Sequence, residues 1–198
     1  MSPLQWFVND GGPLLVLPRE ALPFWEGSEP PSGERVVEAK FRWGYDIATD
    51  YDRACDVEEW VAPIDVGPSR GIVLGGEETN AAWLNPPQAE AFLIVRLIYA
   101  DDDSEAKIPG LYEGQRDEDW VRMGAILEAE HGDLVLFHAA SAGLEVEEKP
   151  GSSDRIIVIG DAIPFPAGSG SYTVDTCEVV LPEEAHYIFH RFVRVAAI

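Results

Sequence analysis

Histidines, cysteines and a run of aspartates are the residues of this chain whose types and spacing could do chemistry. His186 and His190 stand four apart, the spacing two metal ligands take on one helix face. Their surroundings, Tyr187 to Val195, alternate as a strand does, and on a strand residues four apart lie too far apart to chelate easily. Zinc also needs three or four clustered ligands. These histidines therefore read as structural or exposed, and no metal is expected. Cys55 with a remote histidine could form a nucleophile pair. No Cys-His-Asn setting surrounds it, and a cysteine in an apolar β run is usually buried packing. Asp101-Asp102-Asp103 could attract Ca2+ or Mg2+, but it lacks the glycine and terminal glutamate of a calcium loop, so it reads as a solvated acidic turn. Gly75-Gly76 and Gly168-Ser169-Gly170 are followed by no lysine and are not phosphate cradles. No Gly-x-Ser-x-Gly is present. With 36 acidic residues, any pairing of carboxylates is uninformative. No catalytic residue and no cofactor emerge.

Asp50-Tyr51-Asp52-Arg53-Ala54-Cys55 sets an arginine and a cysteine among acids in a chain poor in both. If this stretch is extended, Tyr51, Arg53 and Cys55 share one face. An arginine among acids most simply makes a structural ion pair, costing ~3–5 kcal/mol to break if it is buried. The functional reading is that Arg53 orients acids on a binding face. The structural one carries more weight.

The elements that must position these residues are short. The chain has 198 residues, 46% of them hydrophobic, enough for one large domain with a core that needs no disulfide. Leu4 to Val8, Leu14 to Leu17, Ile72 to Leu74, Ala91 to Ala100, Leu134 to Ala139 and Ile156 to Ile159 read as strands, between turn signals such as Asn9-Asp10-Gly11-Gly12. Val37, Ala39, Phe41 and Trp43 alternate with Glu38, Lys40 and Arg42, which predicts a half-buried strand. Pro18 to Trp25 allows one or two helical turns. Residues 26–34, rich in Pro and Gly, are a loop. Trp120 to Ala129 fits helix or strand. Pro164 to Ser171 is a turn. About ten strands at intervals of ~8–15 residues predict a mainly β fold, an antiparallel sandwich or barrel-like body with at most short helices.

Two related halves are also expected. Gly12-Pro13-Leu14-Leu15-Val16-Leu17 is echoed by Gly132-Asp133-Leu134-Val135-Leu136-Phe137, and Tyr51 to Val57 by Tyr172 to Val179. A tryptophan, Trp6 or Trp120, precedes the first element each time. Residues 1–100 and 115–198 would be the halves of one domain spanning 1–198.

The charge narrows the class of partner. Thirty-six acids face 14 bases, a net charge of −22 at pH 7. Nucleic acid and anionic membranes are poor partners for such a surface, because phosphate contacts need clustered Lys and Arg. A basic partner would be drawn in quickly, and on composition alone a surface serving solubility or halotolerance is an equal alternative. The opening residues show no basic and apolar leader, and no run of ~18 apolar residues suggests a membrane helix. A cytoplasmic protein with reduced thiols is expected.

Four blocks resemble the immunity protein 21 family of bacterial polymorphic toxin systems. They are Trp6 with Asp10-Gly11-Gly12-Pro13-Leu14-Leu15-Val16-Leu17-Pro18; Asp50 to Cys55; Val73-Leu74-Gly75-Gly76-Glu77-Glu78 with Ala82-Trp83-Leu84; and Val95-Arg96-Leu97-Ile98-Tyr99-Ala100-Asp101. They span residues 5–103. Gly12, Pro13, Asp50, Tyr51, Arg53, Cys55, Gly75, Arg96 and Tyr99 are its structural markers here. The resemblance implies a non-enzymatic protein that binds and neutralises a cognate toxin. The acidic surface suits a basic toxin. Acids and an aromatic lie close in sequence at Glu77, Glu78, Trp83, Asp101, Asp102 and Asp103, the expected toxin-binding residues, with Trp83 as the hot spot unless it is core. The rival readings are a small-ligand β-barrel lined by tryptophans, a hydrolase or lyase with dispersed carboxylates, and a structural partner in a larger assembly. Oligomeric state and the toxin's activity are left open.

Overall fold

Every residue from Leu14 to Pro18 is buried, which a strand with one wet face could not achieve. Both faces of its sheet must therefore be covered, and the computed structural model shows what covers them. It describes residues 6–7, 11–76, 80–84, 91–100, 105–148 and 161–195.

Twelve strands are described: β1 (Trp6–Phe7), β2 (Leu14–Pro18), β3 (Ala62–Val66), β4 (Ser69–Leu74), β5 (Asn80–Leu84), β6 (Ala91–Ala100), β7 (Val121–Ala129), β8 (Asp133–His138), β9 (Glu147–Glu148), β10 (Asp161–Pro166), β11 (Gly170–Leu181) and β12 (Ala185–Arg194). They form two six-stranded sheets, ordered β1-β5-β6-β12-β11-β7 and β3-β4-β2-β8-β10-β9. Every pairing is antiparallel except that of the two-residue β9 with β10. No described ladder joins the sheets, so the body is a sandwich and not a barrel. Pro63, which cannot donate to a ladder, sits on the edge strand β3.

The strand orders obey a rule. Advance every strand number in one half of either sheet by six, and the other half appears, reversed about the centre. The centres are the pairs β6–β12 and β2–β8. The register of the described pairings also carries over from one sheet to the other. Trp6 pairs with Ala82 and Leu14 with Leu74, so eight residues forward on one side match eight back on the other. Leu127 pairs with Tyr172 and Leu136 with Ile163, a shift of nine on each side. The echo of Gly12–Leu17 in Gly132–Phe137 falls on β2 and β8 and their leading turns. The echo of Tyr51–Val57 in Tyr172–Val179 does not correspond, because the first begins on a helix and the second lies on β11.

Between the sheets, Leu14, Val16, Ile72, Leu74, Leu134 and Leu136 meet Phe92, Ile94, Leu127, Tyr172, Val174 and Phe192. Phe92 and Phe192 are in register on β6 and β12, and their rings stack at 4.4 Å. The outer face of the β2 sheet, with Leu15, Leu17, Val135 and Phe137, lies under the 3-10 helix Arg19–Phe24, Trp25 and Ala54. Trp25 donates its indole N–H to Ala139 O at 2.8 Å. The outer face of the other sheet, with Leu93, Val95, Cys177, Tyr187 and Phe189, lies under helix α2 (Ile108–Glu113), Tyr112 and Trp120. Double coverage explains why central strands read as continuous apolar runs rather than alternating ones.

Several local expectations are corrected. Val37 to Trp43 is not a strand. Its backbone donors go to carboxylates instead: Lys40 N–H and Phe41 N–H to Asp56, at 2.5 and 2.7 Å, and Trp43 N–H to Asp52 at 2.7 Å. Asp50 to Cys55 is not extended but helix α1 (Asp50–Cys55). Trp120 to Ala129 resolves as a strand, β7, because it completes the edge beside β11. β10 runs into the expected Pro164–Ser171 turn as far as Pro166. The strand expected at Ile156–Ile159 lies outside the described residues.

Candidate binding site

Helix α1 is a single capped turn and a half, too short to persist by propensity alone. Its cap supplies the missing stability. Thr49 Oγ1 accepts from Asp52 N–H at 3.2 Å, and the Asp52 carboxylate accepts from Thr49 N–H at 2.8 Å. That reciprocal pair satisfies two orphan donors. Asp50 and Asp52 in the first turn and Arg53 in the last also suit the helix dipole.

The three carboxylates of this motif pin the long connection that precedes it. Asp50 is fully buried. It accepts from Arg35 through both guanidinium Nη atoms, from Arg53 Nε at 2.9 Å and from Glu26 N–H at 2.9 Å. Arg35 also donates to Glu26 at 2.7 Å. Burial alone would push the Asp50 carboxyl up. The hydrogen bonds from Arg35 and Glu26 N–H and the charges of Arg53 and Arg35 outweigh it, so the carboxyl titrates below its ordinary range. Arg53 in turn lies over the Trp25 ring, 5.4 Å from its centroid. Asp52 and Asp56 hold Lys40, Phe41 and Trp43 by their backbone N–H groups, as described above. Arg53 is thus paired with Asp50 within this network.

Beside this network lies a cleft of about 530 Å³ lined by Gly12, Trp43, Tyr51, Cys55, Gly75 and His138, among others. Tyr51 stacks on His138 at 6.0 Å, and Trp43 meets Tyr51 edge-on at 6.5 Å. Ala140 N–H donates to His138 Nδ1 at 3.1 Å. The proton therefore sits on Nε2, which donates to Gly11 O. Gly12 has φ +82°, and a Cβ there would come within 2.5 Å of Tyr51 Oη. Glycine is required on both counts. Burial pushes the Cys55 thiol up to about 11; a hydrogen bond with Tyr51 opposes this, and Asp52 and Asp56 add to it. Such a thiol is no nucleophile at neutral pH.

Behind the cleft, Arg96 is buried between the sheets and donates to Gly75 O at 2.5 Å. Its guanidinium lies 5.8 Å from the Trp60 ring centroid, and burial lowers it to about 10. His190 is buried nearby, with Nδ1 3.0 Å from Thr176 Oγ1. Burial, and then the charge of Arg96, keep it neutral. His186 pairs with Glu178 at 2.7 Å and meets the exposed Tyr99 edge-on. The two histidines four apart on β12 thus have unrelated partners.

The structure gathers Gly12, Pro13, Tyr51, Cys55 and Gly75 at the cleft, with Asp50, Arg53 and Arg96 behind it. Tyr99 stands apart. Glu77, Glu78, Asp101, Asp102 and Asp103 lie outside the described residues. Trp83 is on β5, in register with Ile94. The described tryptophan side chains are dispersed: Trp25 on one outer face, Trp6 and Trp120 on the other, Trp60 at the inner core and Trp43 at the cleft. They do not line one ligand cavity. Sequence reasoning missed Arg35, Asp52, Asp56, Trp43 and His138. Thr49-x-x-Asp52 is a capping signal that could have revealed the helix. Nothing local marks Arg35, whose partner Asp50 is fifteen residues away. Glu20, Glu130 and His131 are the one group among the described residues whose ligand atoms come within 4.8 Å of one another, on an acidic surface where such groupings are common.

The family model described as immunity protein 21 matches residues 5–184. The match extends well beyond the four blocks at residues 5–103 and reaches from β1 through β11, stopping just before β12. No curated protein and no solved structure matches the chain.

Proposed function

This chain belongs to the immunity protein 21 family, and on that premise we propose that it binds and neutralises a cognate basic toxin by covering it with an acidic surface. Membership makes it an immunity protein of a toxin system. The observation that supports a basic target is the net charge of −22. A field of that sign speeds association with a basic protein and disfavours acidic competitors. The protein acts by occupancy, not catalysis. In keeping with this, the Cys55 thiol is pushed up to about 11 and both ring nitrogens of His138 are committed to backbone groups. The setting is the cytoplasm. No described helix is long and apolar enough to cross a membrane.

Glu77, Glu78, Trp83, Asp101, Asp102 and Asp103 remain proposed contacts. The test is stopped-flow association with the purified toxin domain encoded by the adjoining reading frame. Neutralising Asp101, Asp102 and Asp103 together slows association several-fold at low salt and little at high salt. Unchanged low-salt kinetics would remove this patch from the proposal.

A further inference from the structure

The strand plan repeats, but one connection does not. β2 is followed by residues 19–61 before β3 begins; β8, its counterpart, is followed only by residues 139–146 before β9. The additional chain contains the segment 35–47 and helix α1. A segment retained for stability should bury its apolar side chains. This one leaves them out: Val36 is 84% exposed, Trp43 61%, Ile47 53%, Tyr45 45% and Phe41 39%. Its backbone is nevertheless held in place by Asp56, Asp52 and the Asp50–Arg35 pair. Exposed aromatics on a braced backbone form a preorganised contact surface, because the ordering cost is met before any partner arrives.

We infer that segment 35–47, together with the cleft it borders, is the surface on which the cognate toxin docks, with Trp43 and Phe41 as its apolar anchors. This rests on the reading of the chain as a toxin-neutralising protein. The charge around the segment selects the occupant. Residues 26–59 carry ten carboxylates and four basic side chains. Arg35 and Arg53 are spent on Asp50. Glu34, Glu38, Asp46, Glu58 and Glu59 are exposed in the same stretch and outnumber its exposed cations, Lys40 and Arg42. The occupant is therefore a basic protein that sets an apolar group against Trp43 and rings it with Lys or Arg, the arrangement of a hot spot inside a polar rim. Arginine over an exposed indole would add a cation–π contact.

The test compares the wild-type chain with the double substitution Trp43→Ala, Phe41→Ala, by calorimetric titration against the purified toxin domain from the adjoining reading frame. Trp43 is 61% and Phe41 39% exposed, so the melting temperature should fall only modestly, and circular dichroism checks that the fold is kept. The expected result is an affinity loss of about 30-fold or more. Hydrogen exchange on the wild-type complex should show protection across residues 35–47. An affinity within about threefold of wild type, without protection there, overturns the docking surface while leaving the functional reading standing. A wild-type chain that fails to bind at all overturns the functional reading and this surface with it. Sedimentation showing a wild-type dimer that the double substitution dissolves would assign the surface to a second copy of the chain, and also overturns the proposal.

Discussion

Replacing Asp50 by alanine is the sharpest way to ask whether the motif at 50–55 is a brace. The Asp50 side chain is 0% exposed, and it is the shared acceptor for Arg35, Arg53 and Glu26 N–H. Removing one partner of a buried ion pair costs about 3–5 kcal/mol, mostly because a charge is left unpaired. Here the stranded guanidiniums can partly recover water, since Arg35 is 34% and Arg53 21% exposed at the side chain. Arg35 also keeps Glu26. The expected loss is therefore about 2–4 kcal/mol, or about 4–16 °C in melting temperature for a domain of this size. Urea unfolding monitored by circular dichroism measures it. Limited trypsinolysis gives the local readout: cleavage after Lys40 and Arg42 should accelerate more than cleavage elsewhere, because the pin nearest Arg35 is gone. The pH dependence has a definite sign. The folded carboxyl titrates below its unfolded value, so its contribution is complete above about pH 4 and fades as pH falls through the folded value. A loss below about 0.5 kcal/mol, with unchanged cleavage at Lys40 and Arg42, would refute the brace.

Three further outcomes are expected. Gly12→Ala should destabilise by about 2–3 kcal/mol, from its positive φ and the clash with Tyr51, as read by urea midpoint; a near-neutral effect would contradict the packing of Tyr51 over Gly12. Cys55, raised to about 11, should alkylate with iodoacetamide far more slowly at pH 7.5 than a free thiol, and reaction at the free-thiol rate would contradict its burial. His190 is held neutral in the fold, so below about pH 6.5 the unfolded chain takes up a proton that the folded one refuses, and stability falls with falling pH. His190→Gln should flatten that part of the stability curve, and an imidazole resonance of His190 titrating between pH 6 and 7 would contradict the burial.

The sheets were legible in the sequence because their signal is local. Val-, Ile- and Leu-rich runs bounded by Gly and Pro can be read one at a time, and Ala91–Ala100 and all but the last residue of Tyr187–Val195 lie on the two central strands of one sheet. Val37 to Trp43 misled for an instructive reason. Alternation reports a half-buried strand only when a neighbouring strand supplies the ladder, and here the carboxylates of Asp52 and Asp56 accept from the backbone instead. The brace itself was only half legible. Asp50 and Arg53 are close in sequence, whereas Glu26 and Arg35 arrive from a loop whose path no periodicity encodes. The cleft depends on His138 meeting Tyr51 and Gly11 across the fold, a pairing visible only once β8 lies against β2. The rule relating each strand to the sixth one after it supports a proposal that residues 1–100 and 115–198 are duplicated halves. An experimental structure whose halves fail to superpose would remove that proposal.

The central claim is neutralisation, and growth reports it most directly. The toxin domain from the adjoining reading frame is induced in a bacterial host, with and without this chain, while soluble levels of both proteins are followed. Restored growth with the chain present, and a stable complex recovered from the rescued cells, is the predicted result. Continued arrest with both proteins soluble and abundant would contradict it.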